Sequence, residues 1–72
     1  IAALLRAHPA VAELLELITL HFGDDLMVAV KARMKDAAST TDLCDRINDA
    51  EAQVKREFPQ VKWVFFEPDV KA

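Results

Sequence analysis

Seventy-two residues allow one domain and no more, and a domain this small buries only about 60% of the surface its unfolded chain exposes, so it calls for a staple or a partner. The formal net charge of −3 excludes a phosphate-backbone binder, and with it a nucleic-acid partner, as well as a polybasic membrane-surface patch. The single cysteine, Cys44, excludes an internal disulfide and suits a reducing compartment, and no apolar run approaches the roughly 18 residues of a bilayer span, so oligomerisation or metal is left as support.

Ile1 to Ala7 is rich in Ala, Leu and Arg, and Pro9 disfavours helical geometry at His8, so a first helix is predicted over Ile1–Ala7. Val11 to Phe22 supports two readings. Val11, Leu14, Leu15 and Ile18 follow the spacing of an amphipathic helix. Leu14, Ile18, Leu20 and Phe22 also share one strand face, with Thr19 and His21 opposite, although Glu16 interrupts the inward side. Periodicity favours helix over Val11–Ile18 and strand over Ile18–Phe22.

Gly23, Asp24 and Asp25 supply a turn. Leu26, Val28, Val30, Ala32 and Met34 then alternate with Met27, Ala29, Lys31 and Arg33, the pattern of a half-buried strand, so the two strands are predicted to form an antiparallel hairpin. After a loop over Lys35–Ala38, Ser39 and Asp42 make a helix start signal, and Leu43, Ile47, Ala50, Val54 and Phe58 form one apolar stripe that Pro59 terminates. Val61 to Phe66 reads as a strand ended by Pro68. Val61, Trp63 and Phe65 are predicted to face one way and Lys62, Val64 and Phe66 the other, with both faces apolar enough for burial on both sides. There are no repeats or low-complexity segments.

Several motifs recur in a familiar order: His8-Pro9-Ala10-Val11, Leu17-Ile18-Thr19-Leu20-His21-Phe22-Gly23, Leu26-Met27-Val28-Ala29-Val30, Ala50-Glu51, Glu57-Phe58-Pro59-Gln60-Val61 and Val64-Phe65-Phe66-Glu67-Pro68-Asp69. Together they resemble the cytoplasmic C-terminal domain of cation diffusion facilitators, a family of metal-cation efflux transporters. The resemblance covers nearly the whole chain. It implies an α+β, ferredoxin-like two-layer sandwich of order α-β-β-α-β, a three-stranded sheet with two helices on one face, and hence a strand ending near Phe22. It implies residues 1–72 as one regulatory and dimerising domain, a fragment of a longer membrane protein, at the cytoplasmic face of a membrane. Its partners would be a second copy and its own transmembrane region, which exchanges cations for protons. In several family members metal binds at the dimer interface and changes the angle between the copies.

The positions that match the family's cytoplasmic metal ligands are Leu15, Lys31, Cys44 and Phe66, of which only Cys44 is a ligand type. Glu16 and Glu67 are acidic neighbours, and His21 beside Asp24 and Asp25 is a further imidazole, so the metal candidates are Cys44, Glu67, Glu16 and His21. Each has a simpler reading: Cys44 as a half-buried packing residue beside the apolar stripe, His21 as solvated surface, the acidic residues as turn or strand-end chemistry. No cofactor is required by this pattern, and a low-affinity divalent site, zinc included, is the most it offers. The second apolar face of the last strand suggests a dimer interface at Val64, Phe66 and Trp63, with Phe65 able to exchange roles. No Ser/His/Asp arrangement, CxxC or glycine-rich loop points to an enzyme. The alternative to a transporter domain is a free-standing ferredoxin-like small-ligand or metal-binding module.

Overall fold

The computed structural model describes residues 1–69 and has the order α1(Ala2–Ala7), β1(Val11–Phe22), β2(Asp25–Met34), α2(Thr40–Glu57), β3(Val61–Asp69). The sheet order is β1-β2-β3, antiparallel between β1 and β2 and parallel between β2 and β3. The parallel pair requires a crossover, which α2 supplies.

β2 is the centre of the molecule, and its alternation is realised residue by residue. Leu26, Val28, Val30, Ala32 and Met34 are all buried, while Met27, Ala29, Lys31 and Arg33 are half-exposed. Leu5 of α1 and Ala50 and Val54 of α2 join the same buried cluster, so both helices lie on one face of the sheet. Leu43, Ile47 and Phe58 pack around that cluster, as the stripe on α2 requires. Ser39 caps α2 by accepting a hydrogen bond from Asp42 N–H at 3.1 Å, and Phe58 closes it, with Pro59 just beyond. The hairpin turns through Gly23 and Asp24. Gly23 takes φ +61° and no other described residue has positive φ, the pattern of a turn that needs glycine at its first central position.

β1 departs from the periodicity reading. It is extended from Val11 onward, and its register shifts twice, between Val11 and Glu13 and between Leu14 and Glu16. Each shift inserts one residue, so Val11, Leu14 and Leu17 lie opposite Met34, Ala32 and Val30 in turn. Core-facing residues thus recur every three positions in a strand, which imitates the i, i+3 spacing of a helix. The second bulge, at Leu15, also changes sides: Leu14 faces the helices, whereas Glu16, Ile18, Leu20 and Phe22 pair with the outward residues of β2 and face away. Leu14 therefore does not share a face with Ile18, Leu20 and Phe22.

β3 holds a similar surprise. A register shift between Leu26 and Met27 makes Lys62 the extra residue, placing Val61 in the core and Trp63 on the opposite face. Val64 and Phe66 pair with Val28 and Val30 and pack against the core, while Trp63 and Phe65 pair with Met27 and Ala29 and point outward. Pro68 does not end the strand, which runs to Asp69. β3 is an edge, where the missing N–H of proline is tolerated.

Candidate functional site

The helices cover one face of the sheet and leave the other bare. The bare face is divided along its length. Toward the hairpin it presents Ile18, Leu20 and Phe22 from β1, Met27 and Ala29 from β2, and Trp63 and Phe65 from β3. Phe65 is 58% exposed and Phe22 54%, far from what large apolar side chains show when a fold has buried them. Phe22 and Trp63 meet edge to face across the central strand, with ring centroids 5.8 Å apart, and frame a shallow notch with Met27 and Phe65. An exposed patch of this kind marks an interaction surface more often than a solvated one.

Away from the hairpin the same face becomes charged. Glu13 accepts two hydrogen bonds from Arg33, 3.3 Å from Nε and 3.1 Å from Nη2, across the β1–β2 pair. One step nearer the apolar half, Glu16, Lys31 and Glu67 stand abreast on the three strands. They line a groove of about 480 Å³ together with Ile18, Ala29 and Phe65. Neighbouring strands lie about 4.8 Å apart, so Lys31 stands between two carboxylates whose backbones are roughly 10 Å apart. Among the described residues none of these three side chains makes an ion pair or hydrogen bond.

The four metal candidates do not meet. Glu16 and Glu67 share the bare face but have Lys31 between them. Cys44 lies in the first turns of α2, in the other layer, and is exposed rather than half-buried. His21 pairs with Leu26 and so belongs by register to the helix side, yet it is exposed on the edge strand while Leu26 beside it is buried. Among the described residues no three His, Cys, Asp or Glu side chains are grouped to hold a metal ion. The positions matched by resemblance are equally scattered: Leu15 at the bulge, Lys31 on the bare face, Phe66 against the core, Cys44 on α2. Of the predicted dimer-interface residues, Trp63 lies on the bare face and Val64 and Phe66 do not. Phe65 lies on the bare face beside Trp63.

A polar contact inside the molecule went unread. His8, buried at 6% exposure, accepts a hydrogen bond from Ala10 N–H at Nδ1 (3.1 Å) and reaches Asp49 Oδ2 from Nε2 (2.7 Å). The two partners assign the ring one tautomer, an acceptor at Nδ1 and a donor at Nε2. The side chain thereby ties the α1–β1 junction to α2. Only the position of His8 immediately before Pro9 at a helix end could have signalled it.

The sequence matches no protein-family model, and no curated protein matches it. Its architecture has close solved counterparts. The structure titled MamM-CTD 215-293 is 10% identical over 96% of this chain and 87% of that chain, with a TM-score of 0.83. The fold is that of the MamM C-terminal domains, which are cytoplasmic domains of the cation diffusion facilitator family. A zinc form of a MamM variant matches at 10% identity over 97% of this chain and 77% of its own, with a TM-score of 0.83. A nickel form of another variant matches at 10% identity over 97% and 89%, with a TM-score of 0.84. What these structures share with the present chain is the element order and the one-sided, three-stranded sheet. No described helix is long and apolar enough to cross a membrane.

Proposed function

We propose that this chain is the regulatory and dimerising domain of a metal-cation efflux transporter, placed on the cytoplasmic face of a membrane by a transmembrane region that exchanges cations for protons. The observation that carries the reading is the likeness to MamM C-terminal domains over nearly the whole chain. The bare, apolar sheet face supports the dimer, because a domain of this size gains from a second copy what its own core does not supply. The role is not catalytic: two copies hold two membrane portions together, and any regulation acts by favouring one arrangement of the copies over another.

Metal plays a reduced part in this reading. A tight zinc site needs about four ligands in a tetrahedral array. Here Glu16 and Glu67 offer carboxylates on one face, Lys31 places a positive charge between them, and Cys44 and His21 lie elsewhere. What remains is low-affinity divalent binding, and the domain serves chiefly to dimerise.

The test is the coding sequence for about 200 residues upstream of Ile1. Several apolar spans of roughly 18 residues or more are expected there. A start codon directly before Ile1 would instead indicate the free-standing module. Calorimetric titration of the chain with zinc is expected to show no saturable site tighter than about 1 μM, a level worth some 8 kcal/mol. A tighter site that Cys44→Ser abolished would restore metal sensing to the reading.

A further inference from the structure

His8 is a buried titratable group that the reading above leaves unused. The chain leaves α1 at His8 with an extended backbone, φ −66° and ψ 132°. Pro9 has no N–H, so Ala10 carries the next amide, and Ala10 is buried. A buried amide needs an acceptor, and the His8 ring supplies one through Nδ1 at 3.1 Å. The other ring nitrogen, Nε2, lies 2.7 Å from Asp49 Oδ2, and the side chain as a whole is 4% exposed. The neutral ring therefore holds two elements at once, the start of β1 through Ala10 and α2 through Asp49. The charged groups around it come chiefly from α2. Asp45, Arg46 and Asp49 line a cavity of about 350 Å³ beside the ring, completed by Pro9, Ala10 and Gln53. Arg46 is itself held by Asp42 at 3.0 Å. From α1 comes Arg6, which is exposed, and from the sheet side Lys35, also exposed, whose backbone N–H bonds the Ala10 carbonyl at 2.9 Å.

A second proton can enter this ring only at Nδ1, because Nε2 already carries one. Nδ1–H would then point at Ala10 N–H, donor against donor, so either the ring or the Pro9–Ala10 peptide has to turn. Nε2–H, in contrast, keeps its acceptor on Asp49 and gains a full charge opposite the carboxylate. We infer that His8 is a proton-operated latch: the neutral ring ties the α1–β1 junction to both the sheet and α2, and the protonated ring releases Ala10 and holds α2 alone. The cavity beside the ring gives the released amide access to water, so the junction opens without unfolding the core. Histidine is the side chain whose charge ordinarily changes between about pH 5 and pH 8, so acidification within that range alters how α1 sits against the first strand. The inference goes beyond the dimerisation reading and does not depend on it.

The experiment is a nuclear magnetic resonance titration of the chain from about pH 8 to about pH 5. It follows the ring nitrogens of His8 and the exchange of the Ala10 amide, corrected for the intrinsic pH dependence of exchange. At the basic end the ring should be the neutral form protonated at Nε2. As His8 charges, exchange at Ala10 should rise about tenfold, the loss of one hydrogen bond. Its midpoint should match that of the ring, while Val28 in the core stays protected. His8→Asn keeps an acceptor for the amide two residues on and removes the titration, so it should hold Ala10 protected at every pH. His21→Asn, at the exposed histidine of β1, should leave the response unchanged. A neutral ring protonated at Nδ1, or a ring that stays neutral down to about pH 5, would overturn the latch. So would an Ala10 amide that stays protected as His8 charges, a response that persists in His8→Asn, or one that His21→Asn abolishes. If His8→Asn fails to fold as judged by circular dichroism, the coincidence or separation of the two midpoints in the parent decides.

Discussion

The two faces of the sheet are built from the same strands and have opposite consequences. On β2, Leu26, Val28, Val30, Ala32 and Met34 are sealed under the helices, while Met27, Ala29, Lys31 and Arg33, one residue out of step, remain accessible. Side-chain direction in a strand has a period of two, so one central strand supplies both the core and the exposed face. The covered face holds the fold together, and the bare face leaves large apolar side chains exposed. Substitutions should therefore separate cleanly into those that unfold the chain and those that only dissociate it.

The largest effect is expected on the covered side. Leu5 is 1% exposed and is the buried residue through which α1 joins the core. Leu5→Ala should cost about 3 kcal/mol in a urea melt, a large part of the 5–15 kcal/mol total of a typical domain. His8→Ala comes next, at about 2 kcal/mol, because it removes a hydrogen bond to the Asp49 carboxylate and leaves buried Ala10 N–H without its acceptor. His8→Ala should also raise hydrogen exchange at Ala10 ahead of the core strands, whereas uniform loosening would show that the contact is not local. The smallest effect belongs to the bare face. Phe65→Ser, at a position 58% exposed, should shift the unfolding of the monomer by less than about 0.5 kcal/mol, a value normal for surface changes. A loss comparable to that of Leu5→Ala would erase the distinction between the faces.

The same contrast explains what could be read in advance. β2 was legible because nothing interrupts its alternation, and α2 because a cap, a stripe and a proline agree on its limits. β1 was not, because two bulges stretch its core spacing from two residues to three and make Val11, Leu14 and Leu17 look helical. Here the family resemblance, not the periodicity, led to a strand. The sides of β3 were misjudged for the same physical reason, since the extra residue at Lys62 sends Val61 inward and Trp63 outward. A bulge is a property of a pair of strands, and one strand's sequence does not contain its partner's register. The candidate site was legible only in part. The ingredients Glu16, Lys31 and Glu67 were visible, but their alignment on one face depends on the bulge at Leu15. Cys44 was placed near the buried stripe, whereas its position on α2 turns it to solvent. It should accordingly react rapidly with a thiol reagent in the native chain, and slow labelling would show that another surface covers it.

Sedimentation equilibrium of the chain beside Phe65→Glu tests the central claim most directly, because a carboxylate there puts a charge into the apolar half of the bare face without touching the core. The parent should be a dimer at micromolar concentration, and the variant a folded monomer with an unchanged circular dichroism spectrum. A parent that sediments as a monomer at every concentration, or a variant that dimerises as well as the parent, would contradict it.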